Sequence, residues 1–352
     1  MQIKRIALGG IIMTVIMFSG CSTIVQNLAI GEEKTLETGK TEQESVTEKD
    51  INMNEKESFN AESNINDVIH NSAFDDYGRL IFPVDMEIKD NLKLKDVSSI
   101  LPWYSEVNTD KTVEIVNYMK NQAMNGEKIF YPIYSEEEMQ ADADKKDTGL
   151  FFFRGNAGAK TTIINAGGGF VYVAGIHDSF PHALELSKKG HNAFALIYRP
   201  GAQTACEDLA RAIAFLHENA EQLQIDMTDY SLWGGSAGAR MAAWLGSYGT
   251  AYFGEKEYPA PAAVIMQYTG LSQVTGMEPP TYACVGTSDG IASYRSMENY
   301  ISQIQQNGPN TKIEVFKGLS HGFGLGEGTV AEGWIDRAIS FWEDNMNALD
   351  KR

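Results

Sequence analysis

The stretch that most constrains the fold runs from Tyr230 to Ala243, where a short apolar run passes through clustered glycines into an alanine-rich segment. That order predicts a strand, a tight turn and a helix. Gly234, Ser236 and Gly238 have the G-x-S-x-G spacing of a nucleophile elbow. A side chain two residues before or after the serine would collide with neighbouring backbone, which explains a glycine at both positions. The pattern therefore predicts a serine hydroxyl held out at the end of a sheet.

Short apolar runs alternate with helical periodicity over most of the remaining chain. Strands are predicted at 128–134, 150–154, 161–165, 193–198, 230–233, 263–268, 281–285 and 312–316. Helices are predicted at 109–123, 180–189, 207–223, 294–306 and 331–346. The first two strands are expected to form a hairpin around an acidic turn at 136–147. Strands that alternate with helices indicate an α/β fold, with a mostly parallel central sheet and helices on both faces.

Residues 1–21 have a positive start, an apolar core and small residues before Cys21, which is typical of a targeting signal. Phe18 to Cys21 resembles a bacterial lipobox, with Phe where that pattern prefers Leu. The resemblance implies cleavage before Cys21, its lipidation, and an extracytoplasmic protein anchored to the bacterial cell membrane. An ordinary cleaved signal peptide and an uncleaved anchor are the alternatives.

The remaining chain divides by composition. Residues 22–75 are polar and acidic without periodicity, and are predicted to be a disordered linker. Residues 76–127 contain apolar clusters and are predicted to pack on the core as an N-terminal extension. Residues 128–352 form the α/β domain.

The formal net charge of −18 argues against nucleic acid or an anionic membrane surface as a partner, because both require a basic face. Membrane contact is expected through the lipid anchor only. Three cysteines do not make a disulfide framework. Cys284 lies in an apolar run and is predicted to be a buried thiol, Cys206 lies at a predicted helix start, and a disulfide between the two is the alternative. Without a Cys/His cluster or a nucleotide fingerprint, no metal or cofactor is expected, and the oligomeric state stays undetermined.

Acyl transfer by a serine needs a base, an acid that orients the base, and donors for the oxyanion. Of six histidines, only His321 follows Ser236 in the chain, on a loop after the last predicted strand. Asp289 directly follows strand 281–285, where a carboxylate can reach that histidine. A surface histidine and a simple Asp-Gly turn are the alternatives. The amides of Gly168, Gly169 and Ala237 are the candidate oxyanion donors, because glycines leave backbone N–H groups accessible.

Taken together, these motifs resemble the α/β-hydrolase superfamily. The resemblance is strongest to the esterase branch with hormone-sensitive-lipase-like, acetyl-xylan and feruloyl esterases, and it covers residues 128–347. It implies a serine carboxylic-ester hydrolase (EC 3.1.1.-) with Ser236 as nucleophile, His321 as base and Asp289 as orienting acid. The implied substrates are small or glycan-linked acyl esters. One departure is Ala166 at the position where the family usually has a histidine before its three glycines.

The sequence leaves two other functions open: a serine peptidase of the same fold, and a surface lipoprotein that binds glycan or peptide without catalysis.

The connection between strands 263–268 and 281–285 is too short for an inserted lid. Residues 76–108 are therefore expected to bring Trp103 or Tyr104 towards the cleft, and a position on the far side of the core is the alternative.

Overall fold

The structure is a computed structural model that describes residues 58–346. The predicted targeting signal, with Cys21, and most of the predicted linker lie outside the described residues. Among the residues described, no helix has the length and apolar character needed to cross a membrane.

Eight strands of the described chain form one sheet in the order β1-β2-β4-β3-β5-β6-β7-β8. They are β1 (Phe130–Pro132), β2 (Gly149–Phe153), β3 (Lys160–Asn165), β4 (Asn192–Ile197), β5 (Asp226–Gly235), β6 (Ala263–Gln267), β7 (Thr281–Gly286) and β8 (Thr311–Phe316). β2 runs antiparallel to β1 and β4, whereas the pairs from β4 to β8 are parallel. The predicted mostly parallel sheet and its initial hairpin are confirmed.

Ten α-helices of the described chain surround this sheet. They are α1 (Ile65–Ile69), α2 (Thr109–Met124), α3 (Glu136–Ala141), α4 (Gly175–Asp178), α5 (Phe180–Lys188), α6 (Ala202–Glu218), α7 (Ala220–Leu223), α8 (Ala237–Tyr248), α9 (Tyr294–Gln306) and α10 (Trp334–Asn345). Short 3₁₀ segments lie at Ser72–Ile81, Leu94–Ile100, Ala143–Asp147 and Ala251–Phe253.

Four strands of the sheet are buried along their whole length. β2, β4, β6 and β7 show no alternation between buried and exposed residues. A strand with this pattern is covered on both faces, which is why its sequence reads as a continuous apolar run. α8 packs on β5, β6 and α6, while α10 packs on β6 and β7. The sheet and its helices therefore hold the end of β5, where the elbow lies, in a rigid frame.

Two helix predictions were wrong. The segment predicted as an acidic turn at 136–147 contains α3, which begins with a capping box between Ser135 and Glu138. The side chain of each residue caps the backbone of the other, so the acidic residues stabilise a helix start. α6 begins at Ala202, five residues before the predicted start at 207. Cys206 consequently lies inside this helix, and both it and Cys284 are free and buried.

The predicted boundary of the disordered linker was also wrong, because residues 58–75 are folded. Ile65, Val68 and Phe74 are fully buried. The side chain of Asn64 accepts a hydrogen bond at the start of α1, and that of Asn71 does so at the next 3₁₀ segment. The few apolar side chains of this segment do not follow a helical or strand period, because short capped turns separate them. The polar composition therefore led to the prediction of a linker.

The buried His182 in α5 carries a testable consequence for acid stability. Burial, with a smaller effect of His177, lowers its pKa from 6.5 to about 3. Below about pH 6.5 the unfolded chain binds a proton that the folded chain does not, so stability is lost as pH falls from 6.5 towards 3. The slope attributable to this one group approaches about 1.4 kcal/mol per pH unit. Urea unfolding of a His182→Leu variant between pH 7.5 and 4.5 should show a shallower dependence than that of wild type.

The matched control is His70→Leu, because His70 is exposed on the surface. That variant should keep the slope of the wild type. Equal slopes in the two variants would show that His182 does not carry the effect.

Candidate active site

The backbone at Ser236 has the strained conformation that the elbow spacing predicts. The residue lies between β5 and α8 with φ 50° and ψ −115°, a region that residues with a side chain rarely adopt. A Cβ on Gly234 would overlap the backbone of Gly238, and a Cβ on Gly238 would overlap the carbonyl oxygen of Asn165. The two glycines are therefore required by close backbone approach, as the sequence indicated.

The structure brings Ser236, His321 and Asp289 into one chain of hydrogen bonds. The distance from Ser236 Oγ to His321 Nε2 is 3.1 Å, and that from His321 Nδ1 to Asp289 Oδ2 is 2.8 Å. The other carboxylate oxygen of Asp289 accepts the amides of Ile291 at 2.8 Å and Ala292 at 2.7 Å. The two contacts are both satisfied when Nδ1 donates to the carboxylate of Asp289 and Nε2 accepts from the hydroxyl of Ser236.

The glycine loop after β3 lies directly against the elbow. A Cβ on Gly167 would come within 2.8 Å of the Cβ of Ser236. Gly168 and Gly169 have φ values of 124° and 65°, which glycine adopts without strain. Of the three predicted donors, Gly169 and Ala237 line a cavity of about 160 Å³ together with Ser236 and His321. Gly168 lies beside them in the same loop.

Asp178, at the end of α4, anchors this loop and was missed by the sequence reasoning. Its Oδ2 accepts the amide of Gly167 at 2.7 Å and the hydroxyl of Tyr104 at 2.9 Å. Its Oδ1 accepts the hydroxyl of Tyr268, which follows β6. Burial raises the pKa of Asp178, and the three donors act in the opposite direction. One buried carboxyl group thus connects the glycine loop, the N-terminal extension and the end of β6, and no sequence motif marks it.

Two residues from distant segments hold the loop that carries His321. The carbonyl oxygen of His321 accepts the amide of Ser105 at 3.1 Å and the hydroxyl of Ser105 at 2.7 Å. The next carbonyl, that of Gly322, accepts Nε2 of His177 at 2.9 Å. Burial lowers the pKa of His177, which favours the neutral ring. Both partners lie far upstream in the chain, so local sequence patterns could not identify them.

The aromatic pair of the N-terminal extension lies at the cleft, which confirms the prediction for residues 76–108. Trp103 stacks on Tyr172 with ring centroids 5.7 Å apart, and its ring lies 3.0 Å from where a Cβ on Gly169 would be. Half of its surface is exposed. The ring of Tyr104 is packed 6.5 Å from that of His321. Trp103 therefore forms part of the rim, and Tyr104 part of the support beneath it.

Fold and site together define a protein of the α/β-hydrolase fold with a serine, histidine and aspartate in hydrogen-bond contact at the carboxyl end of its sheet. Within that class, residues 155–279 match the family model BD-FAE, an α/β-hydrolase-like domain. The matched segment contains the glycine loop and Ser236, whereas Asp289 and His321 follow it. No curated protein matches the sequence. In residues 58–346, no group of three or more His, Cys, Asp or Glu side chains is arranged to hold a metal ion.

Solved structures of the same fold include two enzymes. The acetyl ester-xyloside bifunctional hydrolase from Caldicellulosiruptor lactoaceticus is similar at a TM-score of 0.54 and 19% identity, over 61% of this chain and 95% of that one. Thermogutta terrifontis esterase 2 is similar at a TM-score of 0.51 and 18% identity, over 61% of this chain and 93% of that one. At these identities the likeness establishes the fold.

Proposed function

We propose that this protein is a serine carboxylic-ester hydrolase that acts through an acyl-enzyme. The observation that carries the proposal is the continuous contact from Ser236 Oγ through His321 to Asp289, at 3.1 Å and 2.8 Å. This order of groups lets a neutral imidazole accept the serine proton as the hydroxyl attacks an ester carbonyl.

Each residue then has one role in the reaction. His321 takes the proton from Ser236 and returns it to the leaving alcohol, while Asp289 fixes the ring and stabilises its protonated form. The amides of Gly168, Gly169 and Ala237 donate to the oxyanion of the tetrahedral intermediate. Water, deprotonated by His321, then attacks the acyl carbonyl and releases Ser236.

Small acyl groups are the proposed substrates, of the acetyl type and including those linked to sugars. The cavity at the serine measures about 160 Å³, and residues 268–280 between β6 and β7 form a simple connection. The acetyl ester-xyloside bifunctional hydrolase and the propionate-bound esterase 2 of Thermogutta terrifontis share the fold. The acyl groups named for these two enzymes and the small cavity support short acyl chains over long ones.

Hydrolysis of an ester panel tests the proposal. We expect 4-nitrophenyl acetate and butyrate to be cleaved with a higher kcat/KM than the octanoate, and acetylated xylan to release acetate. Methyl ferulate and a peptide 4-nitroanilide complete the panel. Cleavage of the anilide without cleavage of any ester would identify a peptidase instead, and inertness towards all of them would point to a binding protein.

Tyr104 is proposed to act as a positioning residue through Asp178 and the glycine loop. A Tyr104→Phe variant loses the hydroxyl that donates to the buried carboxyl of Asp178, at a typical cost of about 1 kcal/mol or somewhat more. Because that carboxyl also holds Gly167, we expect kcat for 4-nitrophenyl acetate to fall about tenfold while KM changes little.

The control is Tyr258→Phe, whose hydroxyl donates to Glu218 on the surface. It should retain the kcat of the wild type. If Tyr104→Phe leaves kcat unchanged, or changes KM alone, then Tyr104 does not help to hold the glycine loop that donates to the oxyanion.

A lipid anchor at Cys21 is the proposed means of localisation, supported by the lipobox resemblance of residues 18–21. In a bacterial host the full-length chain should partition into the detergent phase of a Triton X-114 extract. Cys21→Ser should move it to the aqueous phase. Retention of the Cys21→Ser protein in membranes would indicate an uncleaved helical anchor.

A further inference from the structure

The cavity at Ser236 contains one cationic side chain, that of Arg240. This half-buried residue lies one helical turn after the serine, and its amide hydrogen-bonds to the carbonyl oxygen of Ser236 at 3.3 Å. One guanidinium nitrogen lies 3.9 Å from where a Cβ on Gly270 would be. Arg240, Gly270 and Ser236 line the same cavity, so the guanidinium lies close to the nucleophile.

Within residues 58–346, no ion pair or hydrogen bond of the Arg240 guanidinium is found. Five other arginines of the same region each pair with a carboxylate, namely Arg79, Arg154, Arg199, Arg211 and Arg337. Arg295 lies over the ring of its neighbour Tyr294. An unpaired guanidinium is notable in a chain with a formal charge of −18.

Two features of its position disfavour the charge of Arg240. It lies in the first turn of α8, where the helix dipole disfavours a cation. Partial burial of a charged group without a partner adds a desolvation cost. No group of the described protein offsets this cost of holding the Arg240 charge. We infer that a ligand supplies the group that does.

A second group in the same cavity also lacks a partner. The hydroxyl of Thr269 is buried, and in the described part of the chain no hydrogen bond satisfies it. Thr269 lines the same cavity as Arg240 and Gly270. Buried hydroxyls are usually satisfied, and although those of Thr148, Thr161 and Thr162 also lack a partner, Thr269 lies at the wall of the cavity that contains the nucleophile. A guanidinium and a hydroxyl that both lack an acceptor form a donor set for an anion.

We propose that Arg240 and Thr269 bind a carboxylate group of the substrate, so that the preferred esters carry a negative charge close to the scissile bond. The inference rests on the proposed ester hydrolysis and narrows its substrate class. A guanidinium binds a carboxylate through two parallel N–H···O bonds, which fixes orientation as well as position. Hemiesters of dicarboxylic acids carry this charge on the acyl side, and acyl esters of acidic sugars carry it on the alcohol side.

Two matched pairs of substrates test the proposal. For the acyl side, 4-nitrophenyl hydrogen succinate is compared with its methyl ester. For the alcohol side, 4-acetoxybenzoate is compared with methyl 4-acetoxybenzoate. The measured quantity is the ratio of kcat/KM for the charged ester to that for the neutral one. We expect the wild-type ratio to exceed one in one pair, and that pair identifies the side on which the charge lies.

The ratio should fall about 10- to 100-fold in Arg240→Gln, the loss typical of a hydrogen-bonded charged partner. Arg240→Lys should keep part of it, because lysine retains the charge but not the two-pronged geometry. Thr269→Val should lower it by a smaller factor. The control is Arg295→Gln, which makes the same change in net charge outside the cavity and should leave the ratio unaltered.

The outcomes separate this proposal from the proposed function. If the wild type cleaves the neutral esters and Arg240→Gln leaves both ratios unchanged, the carboxylate site is wrong and the esterase assignment stands. If no ester is cleaved, calorimetric titration with benzoate and glutarate decides the site without turnover. Binding that weakens at least tenfold in Arg240→Gln supports it, and equal or absent binding in both proteins overturns it.

Discussion

Replacement of Ser236 by alanine should lower kcat/KM for 4-nitrophenyl acetate by about 10⁴- to 10⁶-fold, the range seen when a serine nucleophile is removed from a triad. The proposed acyl-enzyme forms on this hydroxyl oxygen, which lies 3.1 Å from His321 Nε2. The same variant should lose covalent labelling by a fluorophosphonate probe, measured by the mass of the intact protein. Its fold should be retained, because only one oxygen atom is removed.

Ser288→Ala provides the matched control. Ser288 is an exposed serine next to Asp289 in the chain, and its removal should leave labelling and turnover at the level of the wild type. Equal labelling of wild type and Ser236→Ala would place the reactive nucleophile elsewhere.

The second large effect is expected for Asp289→Asn, at about 10⁴-fold in kcat. One oxygen of this carboxylate is fixed by the amides of Ile291 and Ala292, which need an acceptor. The asparagine oxygen will therefore take that position, and its NH₂ group will face Nδ1 of His321. The ring must then accept at Nδ1 and carry its hydrogen on Nε2, where it can no longer deprotonate Ser236.

The structure offers Asp336→Asn as a control for this change. Asp336 is an exposed aspartate of α10 that follows the histidine in the chain and pairs with Lys189 on the surface. Kinetics of both variants, with melting temperatures to monitor the fold, distinguish the roles. A loss below about tenfold in Asp289→Asn would leave His321 without the proposed orienting acid.

The sequence was most informative where chemistry depends on local backbone geometry. The elbow was predictable in part because the clash at Gly234 involves Gly238 and Ala239, which are close in the chain, whereas the approach of Asn165 to Gly238 is visible only in the folded protein. Chain order then selected His321 and Asp289 as candidates, since the ends of parallel strands meet at one edge of the sheet. The structure brings those side chains together, and their roles in catalysis stay predictions.

The parts that sequence reasoning missed depend on contacts between distant segments. Asp178 is marked neither by a motif nor by a periodic pattern, and only the folded chain shows that Tyr104, Gly167 and Tyr268 converge on it. The unpaired state of Arg240 is likewise a property of what surrounds it. Residues 58–75 read as linker because their apolar side chains are few, although Ile65, Val68 and Phe74 among them are fully buried.

The contact between Ser105 and the carbonyl of His321 joins residues 216 positions apart and has a consequence for the order in which the protein folds. The entropy lost on closing a loop grows with its length, and contacts between distant residues slow folding. The turn at Ser236 needs β3 before it and β6 after it, since β5 pairs with both strands and the amide of Ser236 donates to the carbonyl oxygen of Gln267 in β6 at 3.0 Å. The loop of His321 forms later still, because it follows β8 in the chain and must also meet Ser105 of the N-terminal extension. Reactivity towards esters should therefore appear last during refolding, after the recovery of secondary structure.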